Sequence, residues 1–254
     1  MAESSIKSET AGRLQTIASA IAIAIGAYAL GNVVAVSVMS ILLLVGFSME
    51  GYPARMAVLS TLAVQGAGFL GFGLVYLDYS EQFDLLEIDR PKLSDIGYLL
   101  GGIVAVLLGW QGISFVFTSL LGIEPAESSF IEQGIQNPTL LLVLIPLSIL
   151  VVGPGEELLY RGIVQGSIRR VLGPVGAILI ASAVFASIHV FGLIGSPLET
   201  LATLLTVFVL ALVLGAVYEL SENLLVPALI HGLYNATQFL LAYQYATGGL
   251  PVIG

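Results

Sequence analysis

"LLLVLIPLSILVVGPGEELLYRGIVQG", residues 140–166, is apolar enough to cross a bilayer, yet it carries Glu156, Glu157 and Arg161. About 20 predominantly apolar residues span a hydrocarbon core. A charge at that depth costs about 2.5–3.5 kcal/mol on insertion scales. The run therefore reads as a transmembrane helix whose charges must be compensated, either within the helix or by other groups at the same depth.

The rest of the chain has the same character. Of 254 residues, 57% are hydrophobic and 10% charged, against about 25% charged in soluble domains. Apolar runs recur from residue 14 onward, which defines an all-α, polytopic helical membrane protein. Helices are predicted at 14–47, 55–77, 96–120, 139–166, 174–193, 199–219 and 224–246. Their boundaries are Gly51-Tyr52-Pro53, the charged stretch 78–95, Asn137-Pro138, Gly173-Pro174 and Ser196-Pro197. Residues 1–13 read as a short polar tail, without the basic-then-apolar order of a cleaved signal. Residues 14–254 form one integral domain. The segment 122–138 is expected to form a short interfacial helix with Pro125 near its start.

The first run is long for one crossing. Thirty-four residues extend about 51 Å as a helix, against a hydrocarbon core of about 30 Å. One long tilted helix gives seven spans; a hairpin at Gly31-Asn32 gives eight. With seven, Lys7, Arg13, Arg90, Lys92, Arg169 and Arg170 share one side and Arg55 opposes them. The positive-inside rule then favours seven and places the N-terminus in the cytoplasm.

Charge and cysteine content exclude several classes. The chain has no cysteine, so thiolate catalysis, iron–sulfur clusters and cysteine-bound zinc are ruled out. Two lysines against 17 acidic residues suit a prokaryotic, high-salt cytoplasm. A nucleic-acid surface is disfavoured, because nothing basic clusters except Arg169-Arg170. The acidic stretch 78–95 reads as a solvated loop. Nothing in the sequence sets the oligomeric state.

Two histidines occur, His189 and His231, each in an apolar helix. Asn235 follows His231 by four residues and Phe185 precedes His189 by four, so each pair shares a helix face. Glu157 and Arg161 are also four apart and can pair. Glu156 then points about 100° away on the helix and is the freer carboxylate. Pro154, in Gly153-Pro154-Gly155, is expected to weaken the helix and make room for water. A Glu–Arg pair alone would serve as a structural clasp, and a lone histidine as a packed core residue. Two histidines, a free glutamate and an asparagine on three helices each carry an insertion cost, which convergence in one hydrated cavity would repay. Tyr160, Tyr234 and Gln238 are candidates to line it. A proton-coupled transporter using the Glu/His cluster as a relay fits the same residues.

"EELLYR", "FASIH" and "HGLYN" follow E-E-x-x-x-R, F-x-x-x-H and H-x-x-x-N, in that order on successive helices. The chain in this respect resembles the CAAX-protease and bacteriocin-processing (CPBP, Abi) intramembrane proteases, over roughly residues 140–245. The resemblance implies an endopeptidase with its catalytic core at about 139–246, acting on a membrane-associated peptide or protein. Glu156 would activate water, His189 would position it, and His231 and Asn235 would hold the oxyanion. Glu157, Arg161 and Phe185 would support them. Zinc held by Glu156, His189 and His231 is the alternative; a metal-free reaction is preferred, because zinc on Glu156 would leave no free base.

Overall fold

A computed structural model describes residues 2–47 and 52–249, with side chains from residue 10 onward. Gly51 and the side chain of Lys7 lie outside the described residues. The chain is a helical bundle. Helix α1 is Ala2–Leu44, so the expected polar tail continues the helix. The next two helices are α2 (Pro53–Tyr79) and α3 (Leu93–Leu120), and the short α4 is Ser129–Gln136. Residues 138–172 form α5 and 174–188 form α6, separated by Gly173 at φ 72° and ψ 178°. That left-handed conformation is open to glycine and strained for other residues, and Pro174 follows it. Helices α7 (Pro197–Ser221) and α8 (Leu225–Ala246) complete the bundle.

Among the described residues, six helical stretches are long and apolar enough to cross a membrane, counting Pro138–Gly192 as one. The break at Gly173 makes that stretch two rods, and hence seven in all. The hairpin at Gly31-Asn32 does not form. Helix α1 is continuous there, and the Asn32 amide donates to the Tyr28 carbonyl at 2.8 Å. The interfacial helix is shorter than expected. It begins four residues after Pro125, because residues 127–128 instead pair antiparallel with 193–194 as strands β1 and β2.

Lipid offers helices no hydrophobic drive to associate, so close packing decides how they assemble. On α1, Ala20, Ala24 and Ala27 are buried on one face, while Ile25, Val33 and Val36 are exposed. Gly31 and Gly68 let α1 and α2 meet backbone to backbone: a Cβ on Gly31 would lie 2.6 Å from the Val64 Cα. A second core, with Val106, Leu210, Leu214, Val226 and Ile230, joins α3, α7 and α8.

The acidic loop after α2 is more than a solvated segment. Glu87 pairs with Arg169 at 2.6 Å and Asp84 with Arg170 at 2.6 Å. The Leu224 N–H donates to the Glu87 carbonyl at 2.7 Å. Asp95 caps α3 by accepting from the Lys92 N–H, and also accepts from the Asn223 amide. Lys92, Arg169 and Arg170 thus gather at one end of the bundle, and Arg55 sits at the other end of α2.

Candidate active site

The glutamate-bearing turn of α5 is held between two neighbours by glycine contacts. A Cβ on Gly153 would lie 2.5 Å from the Ala228 carbonyl of α8, and one on Gly155 would lie 2.6 Å from the Gln65 carbonyl of α2. Gly232 of α8 faces the Ser148 carbonyl and the Ile149 Cα, each 2.8 Å from a built Cβ. The Gly-Pro-Gly run is therefore a close-packing device. Residues 153–157 are α-helical, and the ladder is altered on either side of them, in wider π-type turns at 148–152 and 158–165. Pro154 is tolerated because those turns shift the hydrogen-bond ladder around it.

This packing brings three charged groups and an imidazole together. Glu157 is fully buried and accepts from the Arg161 Nε at 2.9 Å and from the His231 Nδ1 at 2.8 Å. Since a carboxylate paired with arginine only accepts, Nδ1 of His231 carries the proton. Its Nε2 then stands 3.6 Å from Oε2 of Glu156, too long for a direct hydrogen bond. The other oxygen of Glu156, Oε1, accepts from the Gln65 side-chain amide at 2.7 Å. Oε2 is buried and has no hydrogen-bond partner among the described residues. His231 thus lies between the two glutamates, one bonded and one beside a free oxygen.

His189 follows α6 in a short tight turn, His189–Gly192. Its Nδ1 lies 2.8 Å from the Phe185 carbonyl. A carbonyl only accepts, so Nδ1 is the protonated nitrogen and Nε2 is left as an acceptor. The Phe185 ring stands 4.6 Å from the His189 ring and 5.7 Å from that of His231. The Arg161 guanidinium lies over the same ring at 5.2 Å, within cation–π range. Phe185 therefore serves both histidines and the arginine, more than the single partner its spacing suggested.

Glu156, His189 and Asn235 share one cavity of about 610 Å³. Its walls are mostly apolar, with Phe69, Trp110, Leu144, Leu210 and Phe239 among them. Tyr234 and Gln238 line it, as the sequence allowed. Tyr160 packs behind it, edge-on to Phe69 and Phe185. Gln65 was missed by the sequence reading, as were Tyr28 and Trp110, which also face the cavity. A lone amide in an apolar span carries the same kind of insertion cost that flagged the histidines, and that signal could have found Gln65.

The fit to zinc can be tested on the donor set. Among the described residues no three His, Asp or Glu side chains converge as metal ligands. Oε1 of Glu156 is taken by Gln65 and Nδ1 of His231 by Glu157. These bonds leave Oε2 of Glu156 and Nε2 of His231 facing each other, 3.6 Å apart.

Fold and site together define a polytopic membrane protein with a buried carboxylate–imidazole cluster on an apolar cavity. Residues 138–237 match the family model described as Rce1-like, type II CAAX prenyl endopeptidase. This segment is similar to that family and contains every candidate residue read from the motifs. No curated protein and no solved structure matches the chain.

Proposed function

We propose that the chain hydrolyses a peptide bond of a membrane-associated protein or peptide with a water activated by Glu156, without a metal. The observation that carries this reading is Oε2 of Glu156, a residue that lines the cavity: among the described residues this atom is buried without a hydrogen-bond partner, 3.6 Å from Nε2 of His231. A general base must reach the proton it removes, directly or through one water. Oε2 is the atom available for that task. It takes a proton from water, the water oxygen attacks the carbonyl, and the negative charge moves onto the carbonyl oxygen. Glu156 then passes its proton to the leaving nitrogen.

The other residues follow from their hydrogen bonds. Nε2 of His189 accepts from the attacking water. The side-chain N–H of Asn235 donates to the oxyanion. His231 can donate there from Nε2 only as an imidazolium, since in the neutral ring the proton stays on Nδ1 against Glu157. Glu157 and Arg161 fix that ring. The apolar cavity and the family's prenyl endopeptidase description support a lipid-modified or lipid-embedded substrate near its C-terminus. In a prokaryotic setting, peptide maturation or self-immunity would supply such a substrate. The cationic end around Arg169 and Arg170 would face the cytoplasm, together with the N-terminus.

The test uses purified protein in detergent with a prenylated CAAX peptide and a peptide library. Cleavage is expected, and Glu156→Gln should abolish it with the fold retained. Equal activity in that variant would remove Glu156 as the base.

A further inference from the structure

The matched family segment begins at residue 138, yet the carboxylate assigned as base is held from outside it. Gln65 lies on α2, in the π-type stretch Leu62–Gly71. Its side-chain amide donates to Oε1 of Glu156 at 2.7 Å across 91 residues of sequence. The contact is fixed at backbone level as well, because Gly155 seats directly against the Gln65 carbonyl. The second polar side-chain atom of Gln65, Oε1, is buried without a partner among the described residues, and the residue lines the cavity.

We propose that Gln65 is a positioning residue for Glu156, selecting which carboxylate oxygen meets the water. A carboxylate free to rotate presents either oxygen and many angles. One anchored through Oε1 presents Oε2 alone, on the side where His231 stands. A donor to a carboxylate also favours its ionised form, which is the form a base needs. The inference rests on the reading of Glu156 as general base. It adds that the catalytic unit extends to a helix the family match does not cover.

Kinetics of Gln65→Met, similar in length but without the donor, test this. We expect kcat to fall about 10- to 100-fold, part of the 10²–10⁴ that acid–base catalysis typically supplies, with KM within about two-fold. The kcat/KM profile against pH should also change shape, since the donor no longer fixes which oxygen of Glu156 meets the water. The titratable groups around Glu156 are His231 from α8, Glu157 and Tyr160 from α5, His189 after α6 and Tyr28 from α1. The substitution alters none of them, and a purely structural loss would lower activity evenly across pH.

Gln65→Glu, of the same size, gives a second handle should the methionine variant not fold. Protonated, it still donates to Glu156; ionised, it repels it. Its activity relative to wild type should rise as pH falls. Wild-type kcat and pH profile in both variants, with Glu156→Gln inactive, would overturn the role of Gln65 and leave the general base standing. Full activity in Glu156→Gln would overturn the base itself.

Discussion

Gly232→Ala is the substitution whose effect the geometry fixes most directly. The new methyl would sit 2.8 Å from the Ser148 carbonyl and 2.8 Å from the Ile149 Cα. Both are backbone atoms, so no side chain can rotate away. Ordinary carbon contacts begin near ~3.4 Å and are best at about 3.5–4.0 Å, so α8 and α5 must separate by roughly 0.6 Å or more. His231 is the adjacent residue. Its 2.8 Å bond to Glu157 would stretch to about 3.4 Å, past the usual range of about 2.7–3.2 Å. Its Nε2 would draw further from Glu156. A misplacement of about 1 Å can cost about 10²-fold in rate, so kcat should fall about 10- to 100-fold. Overpacking should cost about 1–3 kcal/mol in stability. The assay is steady-state cleavage of an internally quenched prenylated peptide in lipid nanodiscs, with thermal unfolding followed in parallel. Gly101→Ala is the control, since a Cβ there meets nothing within 4 Å. Wild-type kcat in Gly232→Ala, or an equal loss in Gly101→Ala, would refute the reasoning.

Arg161→Met should destabilise by about 3–5 kcal/mol, because it leaves the Glu157 charge in the interior without its cation, held only by the His231 N–H; thermal unfolding should show most of that loss recovered on adding Glu157→Gln. Asn235→Ala should lower kcat about 10²–10³-fold, as removal of one oxyanion donor does elsewhere, with little change in melting temperature. Chelator treatment followed by metal analysis should leave peptide cleavage intact in zinc-free protein; activity restored only by added zinc would reverse the mechanism. Phe185→Leu should weaken both histidines together, visible as slowed cleavage with KM nearly unchanged.

How much of this could be read in advance depended on whether a relation lies within a helix or between helices. Spacing gives the first kind. The Glu157–Arg161 pair and the break at Gly173-Pro174 are local and were legible. The bond from His231 to Glu157 joins residues 74 apart, and no periodicity encodes it; only the insertion cost of each group pointed to convergence. The same cost argument applied to Gln65 but was drawn only on the helices that carry the glutamates and histidines, so the amide on the second span went unread. Gly153 and Gly155 entered the reading only as neighbours of Pro154, which weakens an isolated helix. Here the absence of Cβ atoms lets two neighbouring helices approach, and that depends on what lies opposite. The sharing of Phe185 follows from the turn after α6, which swings His189 back toward it.

The seating of Gly155 on the backbone of α2 bears on modularity. A protein engineer who cuts this chain at residue 138 and grafts the remainder onto a foreign membrane frame would move both histidines and both glutamates intact. The graft would still lose the amide that steadies Glu156, and the surface on which its turn rests. The smallest transplantable unit starts no later than the second span, and a new frame must supply an amide at the matching depth.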